Sequence, residues 1–164
     1  MYGDFELSLS RAREARLRAR GLGPEFGQAP LFMEAQSTRM LRDYEKAALL
    51  VDESVELNRL IGDKGMVMAE LNNLGLVEIH RNKADAAESL FDESEKVSGS
   101  AAQDPYGRGM VLLNKAMVAF RRGNIPQARS LLLRVNATFE QAGIEPYKDD
   151  KFEIDWLGQE LTKA

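Results

Sequence analysis

The feature that most constrains this chain is an internal repeat. Laid against itself at an offset of 40 to 41 residues, the segment from Asp43 to Ser54 (DYEKAALLVDES) aligns with Lys83 to Ser94 (KADAAESLFDES), and a third copy runs from Asn124 to Leu132 (NIPQARSLL). Upstream of each copy stands a small residue, Ala35, Gly75 or Ala116, and each precedes an alanine, Ala47, Ala87 or Ala128, by the same 12 positions. Two helices that reverse on each other pack closely only where side chains are nearly absent, so small residues in register mark close contacts in a helical hairpin. Leu74 before Gly75, and Leu50, Leu90 and Leu131 after the alanines, fall at helical spacing to fill the surrounding holes. The turns before the second helices are Arg42-Asp43, Asn82-Lys83 and Gly123-Asn124; Asp43 and Asn124 suit the N-cap role and Lys83 is a weak substitute.

Naming the two helices of each hairpin A and B, the spacing predicts an all-α chain of about eight helices in the order B-A-B-A-B-A-B-A. The first B helix spans about Asp4 to Arg20, with Ser8, Ala12 and Ala15 in the packing places. A loop over residues 21–30, rich in glycine and proline, separates it from the next helix. A helices are expected at 31–41, 64–81 and 105–122, B helices at 43–61, 84–98 and 125–142, and a last A helix from Lys148 to Thr162 with Ile154, Leu157 and Gly158 in the A positions. Asp63 and Asp104-Pro105 read as helix starts. The domain reading is one unit over 1–164: a half repeat at 1–24, repeats at 31–62, 63–103 and 104–146, and a final A helix at 147–164. The array opens halfway through one hairpin and closes halfway through another. Either it belongs to a longer array, or its open ends pair with a second copy, since array ends need caps.

These residues resemble the tetratricopeptide repeat family. The resemblance rests on the small-residue/alanine pairs, on Asn73-Leu74-Gly75, and on the turns at Gly3-Asp4-Phe5 and Asp43-Tyr44. The family's usual period is about 34 residues, shorter than here; the extra residues fall at the end of the second helix, as in Glu56 to Asp63, a long-helix pattern similar to kinesin light chain repeats and to repeat regions of large bacterial transcriptional regulators. The resemblance implies a right-handed superhelical solenoid whose A helices line a concave groove for a protein or peptide. Asparagines there hold an extended backbone, because an amide offers both donors and an acceptor. The matching places hold Met33, Asn73 and Asn114, with Asn72 beside Asn73; one turn on come Gln36, Leu76 and Met117, then Arg39, Ile79 and Phe120, then Met40, His80 and Arg121. The family's carboxylate clamp is not matched: Phe32 and Gln36 stand for its Lys and Asn, and Met110 and Asn114 for its later basic pair. Methionines 33, 40, 66, 68, 110 and 117 sit on the A helices, either as an adaptable surface or as filling between hairpins.

Composition narrows the function further. There is no cysteine and one histidine, His80, expected on the surface or in the groove, so cysteine-ligated zinc and a typical His-containing catalytic dyad have no candidates. Pairs such as Asp92/Glu93 and Asp149/Asp150 are placed on polar helix faces and in a loop, with nothing to raise their pKa for acid–base work. No phosphate loop, dinucleotide fingerprint or nucleophile elbow occurs. The net charge is −4; residues 1–24 carry +2 and the rest −6, which argues against a nucleic-acid groove. On the first helix Arg13, Arg16 and Arg20 share one side and Arg11 and Arg18 the other, so a solvated helix is expected, with an acidic partner as the alternative. No apolar stretch is long enough to cross a bilayer. The expectation is a cytoplasmic protein- or peptide-binding scaffold, not an enzyme, without cofactor, metal, membrane or direct nucleic-acid contact. The alternatives are a module that self-associates through incomplete ends, or the ligand-sensing part of a larger bacterial transcriptional regulator.

Overall fold

The computed structural model describes residues 4–99 and 104–164. Among them are eight α-helices and no strand: α1 Phe5–Ala19, α2 Pro24–Met40, α3 Tyr44–Ile61, α4 Lys64–His80, α5 Ala84–Ser98, α6 Pro105–Arg121, α7 Ile125–Ala142 and α8 Lys148–Lys163. Consecutive helices pack against each other, and α8 meets both α7 and α6. None is long and apolar enough to cross a membrane among the described residues.

The turns carry the repeat in their backbone. Arg42, Asn82 and Gly123 occupy equivalent places, each with a positive φ of 66°, 61° and 76°. The next amide closes the same bond in all three, Asp43 to the Thr38 carbonyl (3.2 Å), Lys83 to Glu78 (2.9 Å) and Asn124 to Ala119 (2.9 Å). This left-handed closure satisfies carbonyls that the helix end would leave orphaned. It needs no side chain beyond what αL tolerates, so an arginine, an asparagine and a glycine all serve, at a cost of roughly 1–2 kcal/mol for the arginine. Asp4, Asp43, Asp63, Asp104 and Asn124 each accept a bond from the amide three residues on; Lys83 makes no side-chain cap.

The six small positions are all buried: Ala35, Ala47, Ala87, Ala116 and Ala128 have no exposed surface, and Gly75 lies in the buried face of α4. Gly75 makes room for something larger than an alanine, because a Cβ there would run into the Phe91 ring of α5. On α1 only Ala12 of the three expected packing residues is buried; Ala15 is exposed, at the edge of a cleft shared with Ala29, Pro30 and Met33 of α2.

The expected loop at 21–30 is mostly helix. Only Gly21 to Gly23 break the chain, and α2 begins at Pro24, where a ring without an N–H fits the first turn. Pro30 sits inside α2 and removes one backbone bond. The surrounding turn is held from outside instead: the Gln28 amide donates to Asn58 Oδ1 (2.6 Å) and Asp63 Oδ2 (2.9 Å), and Gly27 lies against Leu57. The solvated reading of the α1 arginines also changes. Arg13 and Arg16 both pair with the buried Glu34 of α2 (3.2 and 3.1 Å), and Arg16 also reaches Glu53 of α3.

Candidate functional site

Helix α8 is anchored by a carboxylate in its buried face. Glu153 stands three residues before Trp156 and four before Leu157, on the stripe that packs inward, and has no exposed surface. Its Oε1 accepts from Arg39 Nη1 of α2, and its Oε2 lies 2.7 Å from His80 Nε2 at the end of α4. Arg39 is buried as well; its Nε donates to Gln36 Oε1 (3.0 Å) and its Nη2 lies 3.7 Å from Asp149. Rings complete the enclosure. Tyr44 stacks on His80 (centroids 4.6 Å apart), Trp156 meets His80 and Phe120 edge-on (4.5 and 5.8 Å), and Arg121 lies over Trp156 (5.1 Å). The ends of α2, α4 and α6 therefore converge on one face of α8. His80 and Arg121, expected to line an open groove, are used here: the His80 side chain is only 4% exposed, and Arg121 is stacked on Trp156.

Beside this anchor, toward the N-terminal halves of α4, α6 and α8 and against the middle of α2, lies a cavity of about 420 Å³. Its apolar walls come from Phe32 of α2, Met68 of α4, Phe91 of α5 and Met110 of α6; its polar residues include Gln36, Asn72, Asn73 and Asn114. Asn114 Nδ2 donates to Asn72 Oδ1 across α6 and α4 (2.6 Å), while Asn114 Oδ1 is buried with no hydrogen-bond partner. Asn73 is turned inward and donates to Glu70 Oε2 (3.2 Å), and the Ser54 hydroxyl donates to the same carboxyl group. Burial raises the Glu70 pKa, and those two bonds oppose the rise.

The remaining candidates are placed elsewhere. Leu76 and Met117 have no exposed surface and belong to the core, so no ligand reaches them in this arrangement. Met33 is exposed on the other side of α2, beside Leu7 and Ala12 of α1. Of the nine residues expected to form a groove, only Gln36, Asn72, Asn73 and Asn114 line this cavity. A larger cleft of about 910 Å³ between α7 and α8, bordered by Leu132, Ile154 and Gln159, holds none of them. Among the described residues no group of three His, Cys, Asp or Glu is placed to hold a metal ion.

Asp149 and Asp150 are not in a loop but in the first turn of α8, where a helix favours negative charge. Asp150 accepts from the Tyr106 hydroxyl. Burial, with Asp149 beside it, pushes the Asp150 pKa up to about 6, while Tyr106 and Arg39 pull it down and Glu153 adds to the rise. Burial and the bond to Asp150 raise Tyr106 in turn. The unfolded carboxyl titrates near 4. Folding thus favours its protonated form; this contribution is full below pH ~4 and is lost as pH rises through the folded value of about 6. Asp150→Asn, which keeps an acceptor for Tyr106, is therefore expected to stabilise the chain by about 1–3 kcal/mol at pH 7. The gain should vanish below pH ~4 in urea titrations followed by circular dichroism.

No family model and no curated protein matches the chain.

Proposed function

We propose that the chain is a tetratricopeptide-like right-handed solenoid that binds a protein or peptide partner, and that the partner's contact segment enters the cavity between α2, α4, α6 and α8. The observation that carries this reading is Asn114, which lines a cavity large enough for a small ligand and whose Oδ1 is buried without a donor. A buried amide oxygen left unpaired costs roughly 1–3 kcal/mol, which a backbone N–H from a ligand would recover. The three matching turns and the buried small residues support the repeat architecture. Because Glu153 draws α8 onto α2 and α4, the groove is narrowed to this cavity, so the bound segment is short. The reading makes the chain a cytoplasmic binding module and not an enzyme.

The test is selection of peptides from a random display library against the whole chain, followed by calorimetry. Asn72→Ala with Asn114→Ala should weaken a selected peptide at least tenfold, about 1.4 kcal/mol, with the helical signal retained. Unchanged affinity, or selection that yields no binder, would remove the groove assignment.

A further inference from the structure

The charge lining the cavity is one-sided. Glu95, Asp104, Asp149 and Asp150 line it, and no lysine, arginine or histidine does among the described residues. The buried Arg39 faces Glu153 and Asp149, His80 meets Glu153 from the other side, and among the described residues no cation lies at ion-pair distance from Asp150. Asp104 is already occupied as the cap of α6, accepting from the Gly107 amide (2.8 Å). Asp150 receives one neutral phenol, and burial with Asp149 beside it raises its pKa. Two further features sit in the same cavity. One is Asn114, a lining residue whose buried Oδ1 has no partner and asks for a donor and not for another carbonyl. The other is the apolar side, Phe32, Met68 and Met110, with the Tyr106 and Tyr147 rings at the carboxylate end (centroids 5.1 Å apart).

An apolar stem ending in a donor-rich cation satisfies all of these at once. An anion would meet like charge, and a purely apolar group would leave Asp150 without a counter-charge. We infer that the cavity takes a lysine or arginine side chain of the partner peptide, its methylenes against Phe32, Met68 and Met110 and its charged head at Asp149 and Asp150. The peptide N–H groups beside that side chain supply the donor for Asn114 Oδ1. This inference rests on the peptide-binding reading and adds the class of residue recognised.

The experiment uses the whole chain and small probes, titrated by amide chemical-shift mapping: Nα-acetyl-lysine methylamide, its arginine, norleucine and glutamate counterparts, and cadaverine. The lysine and arginine probes should bind at least tenfold more tightly than norleucine and shift amides of α4, α6 and the start of α8. Their binding should weaken as sodium chloride rises and fall at least tenfold in Asp149→Asn with Asp150→Asn. Equal or tighter binding of norleucine or glutamate, no binding by either basic probe, or basic binding unchanged in that variant would overturn the inference. Cadaverine binding more tightly than the lysine probe would also overturn it, assigning the cavity to a free diamine. Library peptides that bind without a basic residue would sink this inference and leave the peptide reading standing. A lysine probe that binds where no peptide does would sink the peptide reading alone.

Discussion

Glu153→Ala is expected to destabilise the chain by about 3–5 kcal/mol, the range for breaking a buried ion pair from one side. The cost comes less from the lost attraction than from what stays behind. Arg39 would remain buried with Gln36 as a neutral partner and Asp149 at 3.7 Å, and His80 would lose the acceptor 2.7 Å from its Nε2. Against a total stability of roughly 5–15 kcal/mol, such a loss moves the urea midpoint far enough to read directly. Replacing both charges, Arg39→Met with Glu153→Leu, should recover most of it, because a packed apolar pair avoids desolvating two ions. The single variant should also expose α8 before the rest, with its amides exchanging faster than those of α3 to α5. A midpoint shift worth less than about 1 kcal/mol would mean that Trp156 and Leu157, not the ion pair, hold α8 in place.

This anchor was the part least legible in the sequence, and the reason is separation. Arg39 and Glu153 are 114 residues apart, and neither residue carries a local signal that names the other. The small residues behave differently. A close approach of neighbouring helices leaves its mark within a few turns of each hairpin, which is why Ala35/Ala47, Ala87 and Ala116/Ala128 could be placed by spacing and are all fully buried. Helix α2 starts at Pro24 and not at the expected residue 31, because three glycines and two prolines within residues 21–30 read as punctuation. The contacts of Gln28 that hold the helix together around Pro30 are long-range and leave no local trace.

The cavity was half legible. Register put Asn73 and Asn114 in equivalent places, yet Asn72 is the residue that meets Asn114, while Asn73, one position and about 100° further round, turns to Glu70. Helix α4 explains the confusion. Its buried residues include Val67, Leu71, Leu76, Val77 and Ile79, spread round the helix, so no clear apolar stripe distinguishes a groove face from a core face. Leu76 and Met117 were drawn into the groove by the same ambiguity.

The second large effect is expected at Phe91, and it carries a reversal of sign. Phe91 is 3% exposed and its ring fills the notch left by Gly75. Phe91→Ala should cost about 3–5 kcal/mol, since the transfer energy of the ring is lost and a cavity remains. Gly75→Ala in the unaltered chain should cost about 1–3 kcal/mol, because the new methyl meets a rigid ring that cannot fold away. In the Phe91→Ala background the same change should stabilise instead. The obstruction is gone there, and alanine is favoured over glycine inside a helix by roughly 0.5–1 kcal/mol. The coupling between the two sites, taken from a double-mutant cycle in urea, should therefore exceed about 1.5 kcal/mol. If Gly75→Ala has the same effect in both backgrounds, the two residues do not touch and the register of α4 on α5 is wrong. If it inverts, the glycine is there for a phenylalanine one turn beyond Ala87, and the small-residue rule of the repeat has a ring as its counterpart at this hairpin.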